Sequence, residues 1–198
     1  MIETTKQQPG RVTILGINGH VGQFAARAFA EAGWTVSGFG RSNRHPVPGV
    51  RFIKGDADKL DDLKAAVADA DVVVNALNLP YDAWDKGRME ALMAGVTTAV
   101  GPNSGKTLMF PANIYNYAAD LRDVTPDAPQ HPETPRGAIR VRCEEAMIAA
   151  ARRGDFQLIL VRAGDFYGAG NTGDWYDQLI LREAARNRFC VPGAPGVG

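Results

Sequence analysis

The sequence predicts an α/β fold: a doubly wound parallel sheet of six or seven strands with helices on both faces. Three observations predict it. Short β-branched runs alternate with amphipathic helical stretches along most of the chain, the pattern of strands that need crossover helices. A glycine-rich turn joins the first strand to the first helix. The 198 residues, 45% hydrophobic and 22% charged, suit one globular domain.

The elements are read in order. Arg11–Gly16 is a buried strand. In Val21–Ala32, residues Val21, Phe24, Ala25, Ala28 and Phe29 recur at helical spacing, and Gly33 can stop the helix. Trp34–Phe39 and Val50–Lys54 are the second and third strands. Leu60–Ala68 is a helix with Leu60, Leu63 and Val67 on one face. Asp71–Leu77 is the fourth strand, Trp84–Ala94 a helix and Thr107–Pro111 the fifth strand. A loop from about Asn113 to Arg136 carries Pro126, Pro129, Pro132 and Pro135, and a loop of that length is usually functional. Gly137–Arg153 is a helix with a basic end suited to its C-terminal dipole. Phe156–Arg162 is the sixth strand and Asp174–Asn187 the last helix. Right-handed crossovers then put a ligand crevice beyond the carboxyl ends of the strands.

Composition narrows the function classes. Lys+Arg and Asp+Glu are both 22, a net charge of zero, so no overall field favours nucleic acid or an anionic membrane. The apolar runs are far too short to span a bilayer, and Met1–Gly10 reads as a polar, disordered lead-in without a signal-peptide core. Cys143 and Cys190 lie far apart, and His20, His45 and His131 have no ligand spacing. A reducing cytoplasm and no metal site are the expectation. Trp34, Trp84 and Trp175 are assigned to packing.

The first strand runs into Gly16-Ile17-Asn18-Gly19-His20-Val21-Gly22. A helix N-terminus offers unpaired amides and a positive dipole end, and glycines let the backbone approach a pyrophosphate. The spacing alone would fit a turn without a ligand. Its place between the first strand and an amphipathic helix points to dinucleotide binding by Gly16, Asn18, Gly19, His20, Val21 and Gly22. The second strand ends Gly38-Phe39-Gly40-Arg41-Ser42-Asn43-Arg44, without the carboxylate that bonds the ribose hydroxyls of NAD. Arg41 and Arg44 suit a 2′-phosphate, which favours NADP(H) over NAD(H). Two solvated loop arginines would look the same.

These segments resemble the extended short-chain dehydrogenase/reductase family, in its NAD-dependent epimerase/dehydratase branch. The likeness runs from Arg11 onward and rests on four segments in order. They are the glycine turn, Lys54-Gly55-Asp56-Ala57-Asp58, Val73-Val74-Asn75-Ala76-Leu77, and Arg162-Ala163-Gly164-Asp165-Phe166-Tyr167-Gly168. The resemblance implies a Rossmann domain, adenine beside Asp56 and Ala57, a cofactor passing Ala76, Leu77 and Asn78, and a nicotinamide near Asn113 and Tyr115. It also exposes a departure. Family members carry Ser or Thr after strand five and Tyr-x-x-x-Lys on the next helix. This chain reads Phe110-Pro111-Ala112-Asn113-Ile114-Tyr115, with Arg136 and Arg140 in the tyrosine and lysine places. Arginine is no ordinary proton donor. Tyr115 and Tyr167 are the phenols that could replace the missing acid, or could simply pack at the crevice rim. Arg140 could take the ribose or phosphate contact. Asn113 could orient a substrate oxygen or cap a turn.

Gly101-Pro102-Asn103-Ser104-Gly105-Lys106-Thr107 superficially resembles a P-loop, but Val100 replaces the first glycine and a strand follows instead of a helix. It reads as a surface turn. Family members usually continue for roughly a hundred residues more, so residues 11–198 read as the Rossmann domain with a short or truncated substrate lobe at 168–198. Apolar residues such as Leu179, Ile180, Phe189 and Val191 would then need cover, for which a homodimer is one solution. Two functions stay open: an atypical NADP(H)-dependent reductase of a small carbonyl or alcohol, and a regulator that binds NADP(H) and a protein partner without turnover.

Overall fold

In the computed structural model, residues 9–164 are described. The chain divides into two units, Met1–Arg162 and Ala163–Gly198, and the elements below belong to the first. They are β1 (Arg11–Leu15), α1 (His20–Glu31), β2 (Thr35–Gly40), β3 (Val50–Lys54), α2 (Leu60–Val67), β4 (Val72–Asn75), α3 (Arg88–Val100), β5 (Thr107–Ala112), α4 (Pro135–Arg152) and β6 (Gln157–Arg162), with a short 3₁₀ turn at Tyr81–Ala83. The strands form one parallel sheet in the order β3-β2-β1-β4-β5-β6. This is the Rossmann-type doubly wound sheet that the sequence predicts, with six strands among the described residues. The predicted helix Asp174–Asn187 and Tyr167 lie outside them.

The strand order fixes where a ligand can sit. The chain leaves β1 for β2 and β3 on one side, then returns to β4 on the other. Leu15 pairs with Phe39 of β2 and with Asn75 of β4. The carboxyl ends of β1 and β4 therefore open side by side at the switch point, where crossovers diverge and leave a crevice.

One apolar cluster joins Leu15, Phe39, Val73, Leu108 and Phe110 of the sheet to Leu63, Met93, Val96, Cys143 and Met147 of α2, α3 and α4. The other joins Val12, Ile14, Val36 and Val74 to Ala26 of α1. The two central strands, β1 and β4, are buried on both faces and so show no inside–outside alternation. No helix among the described residues is long and apolar enough to cross a membrane.

Three expectations need correction. The first concerns α1, which turns Gly22, Gln23 and Ala26 inward, while Phe24 is 49% exposed and Ala28 faces solvent. Small residues win because α1 starts hard against the turn: a Cβ on Gly22 would collide with the Gly16 carbonyl oxygen and lie 3.0 Å from its carbon. Gln23 is tolerated inside because its amide donates to the Ile17 and His45 carbonyls. Leu60, second, is 37% exposed at the start of α2, and Leu63, Ala66 and Val67 carry its buried face.

Third, the helix expected over Trp84–Ala94 begins only at Arg88 and continues to Val100. Lys86 and Gly87 both have positive φ (54° and 75°) and break any helix begun earlier. Trp84 closes the 3₁₀ turn instead, fully buried, its Nε1–H donating to the Leu79 carbonyl at 2.8 Å. The helix outlasts the prediction because Val96 and Val100 keep facing the core.

The long loop holds to its reading and leads into α4 through a cap. The Gly137 amide donates to Thr134 Oγ1 at 3.0 Å, with Pro135 at the first helical position. The P-loop look-alike is a turn before β5. Its Lys106 Nζ donates to the Ala68 and Ala70 carbonyls at 2.9 and 2.7 Å, closing the C-terminal end of α2.

The two glycines of the turn should separate on mutation. Gly22→Ala has no room for its Cβ and should destabilise by about 1–3 kcal/mol. Gly19→Ala meets nothing closer than 3.5 Å and should cost less than about 1 kcal/mol. Urea melts of both variants measure this, and equal losses would refute the assignment of roles.

Candidate functional site

The site is built from two corners at the carboxyl end of the sheet. The first is the glycine turn. Gly16 takes φ +84°, and its missing side chain lets it lie against Ala76, where a Cβ would fall 2.8 Å from the carbonyl oxygen. The Gly16 and Ile17 amides both donate to the Phe39 carbonyl at 3.1 Å, and the Ala76 amide to that of Leu15 at 2.9 Å. The turn is thus pinned to β2 and β4 together.

Gly19 caps α1 with no side-chain hydrogen bond. The Val21 and Gly22 amides sit in a first turn that offers them no intrahelical carbonyl. Gly19 needs no special φ (−80°), and a Cβ there would meet only Gly16 O, at 3.5 Å. Internal packing therefore explains glycine at 16 and 22 but not at 19. Position 19 faces open space beside unsatisfied amides, which fits a pyrophosphate approaching the backbone.

Asn18 ties this turn to the segment after β2. Its Nδ2 donates to the Ser42 carbonyl at 2.6 Å, and its Oδ1 accepts from the Arg44 amide at 3.0 Å. Arg41 and Arg44 are exposed, and neither pairs with a carboxylate among the described residues. The predicted ligands Gly16, Asn18, Gly19, His20, Val21, Gly22, Arg41, Arg44, Ala76 and Leu77 thus meet around one corner. Asp56 and Ala57 lie after β3, half-buried, with the Asp56 amide donating to Asp62 Oδ2 at 2.8 Å.

The second corner lies beyond β4 and β5 and brings together Asn78, Tyr81, Trp84, Tyr115, Arg136 and Arg140. Arg140 is 6% exposed. Its guanidinium lies 4.4 Å from the centre of the Trp84 ring and 5.3 Å from that of Phe110, and its Nη2 donates to Asn78 Oδ1 at 3.3 Å. Tyr81 and Tyr115 share a hydrogen bond between hydroxyls at 3.1 Å, and Arg136 stands 5.2 Å over the Tyr81 ring. Burial, then the hydrogen bond with Tyr115, push Tyr81 up to about 12. Burial pulls Arg140 below the usual arginine value.

Asn113 caps a turn, its Oδ1 accepting from the Tyr115 amide at 3.1 Å. Its carbonyl accepts from Arg162 Nη1, also at 3.1 Å. Arg162, the last residue of β6, grips the fully buried Glu144 of α4 in a bidentate pair at 2.6 and 3.1 Å and lies over the Tyr117 ring. That pair locks β6, α4 and the loop after β5 into one frame beneath the phenols.

Sequence reasoning missed Tyr81, the ring cage around Arg140 and the Glu144–Arg162 pair. Each joins residues 18 to 62 positions apart, so no local periodicity could announce it. An apolar groove of about 1090 Å³ along β6 and α4 is lined by Phe156, Leu158, Leu160 and Ile148 and reaches Arg162 at one end, but none of the phenols, Arg136 or Arg140 lines it.

The profile of the family described as the NAD dependent epimerase/dehydratase family matches residues 12–187. No curated protein sequence matches the chain. Among solved structures, the UDP-N-acetylglucosamine 4-epimerase from Bacillus cereus is similar with a TM-score of 0.73 and 18% identity, over 89% of this chain and 61% of that one. WbmH from Bordetella bronchiseptica, in complex with NAD+, is similar with a TM-score of 0.71 and 17% identity, over 91% and 64%. MoeE5, in complex with UDP-glucose and NAD, has a TM-score of 0.72 and 21% identity, over 90% and 62%. The chain spans about three fifths of the length of these structures.

Two measurements follow from the second corner. Glu144→Gln should destabilise by about 3–5 kcal/mol, since it leaves Arg162 without its buried partner, while Glu144→Met with Arg162→Met should cost less than the single change. Denaturant melts of the three proteins test this. Ultraviolet titration should show one phenol ionising near pH 12 and missing from Tyr81→Phe. Because the folded value is raised, the stabilisation this group confers is whole below about pH 10 and is lost as pH climbs through 12.

Proposed function

We propose a function from one premise: the chain belongs to the NAD dependent epimerase/dehydratase family. On that premise it acts as an NADP(H)-dependent oxidoreductase that reduces a small carbonyl or oxidises the corresponding alcohol. The observation that carries the reading is the hydrogen-bonded phenol pair Tyr81–Tyr115, set beside a buried arginine at the carboxyl end of the sheet. There it can replace the proton-handling tyrosine and lysine that this chain lacks.

The first corner supports cofactor binding. The pyrophosphate is assigned to Gly16–Gly22, where Gly19 leaves room at free amides. The adenine is assigned to Asp56 and Ala57. Arg41, with Arg44 alongside, is assigned to the 2′-phosphate, in a segment with no carboxylate to bond a free ribose hydroxyl. The structural neighbours WbmH and MoeE5 hold NAD, and the preference for NADP(H) rests on these arginines alone. Leu77, Asn78, Asn113 and Tyr115 are assigned to the nicotinamide end, with Arg140 taking the ribose-side place of the family lysine. When bound, the dinucleotide supplies hydride chemistry at the nicotinamide C4.

The protein's share is the proton. The Tyr115 hydroxyl can give its proton to the oxygen of a carbonyl as that oxygen gains charge. The Tyr81 hydroxyl then donates to the phenolate left behind, and the fixed charge of Arg140 stabilises it without solvent rearrangement. Tyr167 is the other phenol assigned by sequence, and it lies outside the described residues.

A second reading has its own observation. Arg136 and Arg140 occupy the places of the catalytic tyrosine and lysine, and neither can pass a proton at ordinary pH. A cofactor-binding regulator, signalling through a protein partner or a second copy of itself, would keep the first corner and dispense with the acid.

Calorimetry with NADPH and NADH tests the cofactor assignment. NADPH should bind at least tenfold more tightly, and Arg41→Ala should erase most of that gap. Equal loss for both nucleotides would remove the argument for NADP(H). NADPH oxidation over a panel of aldehydes and ketones separates the two readings, with Tyr115→Phe expected to lower kcat by about 10²–10⁴. Tight NADPH binding without turnover would select the regulator.

A further inference from the structure

We propose that Arg140 and Arg136 form the docking site for a carboxylate carried by the substrate, close to the carbonyl it reduces. This rests on the oxidoreductase reading for the word substrate, while the anion site itself is argued from the charges alone.

The starting point is a buried charge with no ion pair among the described residues. Arg140 is 6% exposed, and its Nε and Nη1 are sealed from solvent without any hydrogen bond. Its contacts are two aromatic faces and one amide oxygen. Rings offset part of the desolvation cost of a guanidinium, but a buried cation is ordinarily paired with an anion. The carboxylates of the same cluster are already engaged. Glu144 gives both oxygens to Arg162, and Glu90 gives its Oε1 to Arg142 at 2.7 Å, with its Oε2 buried and without a hydrogen bond. Arg140 is therefore left as an excess positive charge inside the fold.

Arg136 adds to the same face. It lies one turn earlier on α4, at i−4 from Arg140, so both side chains rise on one side of the helix. It also sits in the first turn of a helix that has no acidic residue there. A cation at that end meets the positive pole of the dipole and is disfavoured unless an anion joins it. Two arginines, two phenol hydroxyls and the Asn78 amide thus converge with donors in surplus.

The ligand chemistry follows from shape and charge. A guanidinium caged by two flat rings is suited to a small planar anion that it can meet with two parallel N–H donors, which is a carboxylate. The neighbouring phenol pair places this anion within a few atoms of the oxygen that receives a proton, as in an oxo acid with adjacent groups. Because Nε and Nη1 are closed to solvent, docking must displace a neighbour. Asn78 is suited to move, being exposed and bonded to Arg140 Nη2 at 3.3 Å.

The test is binding of 2-oxobutanoate, butanone and inorganic phosphate to the full chain, followed by nitrogen-15 NMR of the arginine Nε–H groups, with and without NADPH. The proposal expects 2-oxobutanoate to shift the Arg140 Nε–H signal and to bind at least tenfold more tightly than butanone. Arg140→Met should remove that preference, and Arg136→Ala should weaken it. Should Arg140→Met fail to fold, Arg140→Lys serves, since it keeps the charge and loses the two-pronged geometry. Equal binding of acid and ketone, tighter binding of phosphate, or an unmoved Arg140 signal would overturn the carboxylate site. Reduction of butanone with no preference for the acid would sink this inference and leave the oxidoreductase reading intact. Carboxylate binding without NADPH oxidation would do the reverse.

Discussion

The whole architecture depends on one close approach of backbone to backbone. Gly16 lies against Ala76, Gly22 lies against Gly16, and the Phe39 carbonyl takes two amides from the turn between them. A side chain at either glycine would hold α1 off the sheet or push β1 from β4. With the three segments in contact, α1 begins directly above the switch point and aims the amides of its first turn across the carboxyl ends of the strands. The inward face of α1 follows from the same constraint. A helix that starts this close buries the small or hydrogen-bonded residues Gly22, Gln23 and Ala26 most deeply, with Ala25, Phe29 and Ala30 packed beside them.

The far corner works on a different principle. Its frame is electrostatic, made by Arg162 and Glu144 inside the protein, and the pair is costly to bury and more costly to break. That frame holds α4 so that Arg136 and Arg140 face the loop after β4. The aromatic rings of Trp84, Phe110 and Tyr81 then carry contacts that carboxylates would make elsewhere. A corner arranged this way is short of negative charge among the described residues, and the proposed reading gives its phenols the proton transfer. The departure from the family pattern is therefore coherent: the tyrosine and lysine are replaced on one helix, while a phenol pair appears on the loops opposite.

Legibility differed between the corners for a physical reason. The first corner is local. Its residues lie within one strand–turn–helix unit, and glycine spacing, strand length and helix periodicity report on it directly. The absence of a carboxylate after β2 was likewise readable from one stretch. Where local reading slipped, a tertiary contact had overruled it, as when Phe24 was turned outward to let Gly22 in, or when Lys86 and Gly87 adopted left-handed backbone and delayed α3 to Arg88. The second corner draws on β4, β5, α4 and β6 at once, so Tyr81 meeting Tyr115, or Glu144 meeting Arg162, left no trace in spacing.

By itself the sequence determined the doubly wound class, the order of its strands and helices, the glycine turn, the two arginines after β2 and the loss of the family's tyrosine and lysine. These are properties of short segments, fixed by periodicity, backbone freedom and side-chain chemistry. Only the tertiary structure decided which glycines serve packing and which stands open, which phenol joins Tyr115, and that the buried charge of Arg140 lies against two rings and, among the described residues, forms no ion pair. Those facts depend on where distant segments come to rest, and it is the packing of the helices on the sheet that sets those distances.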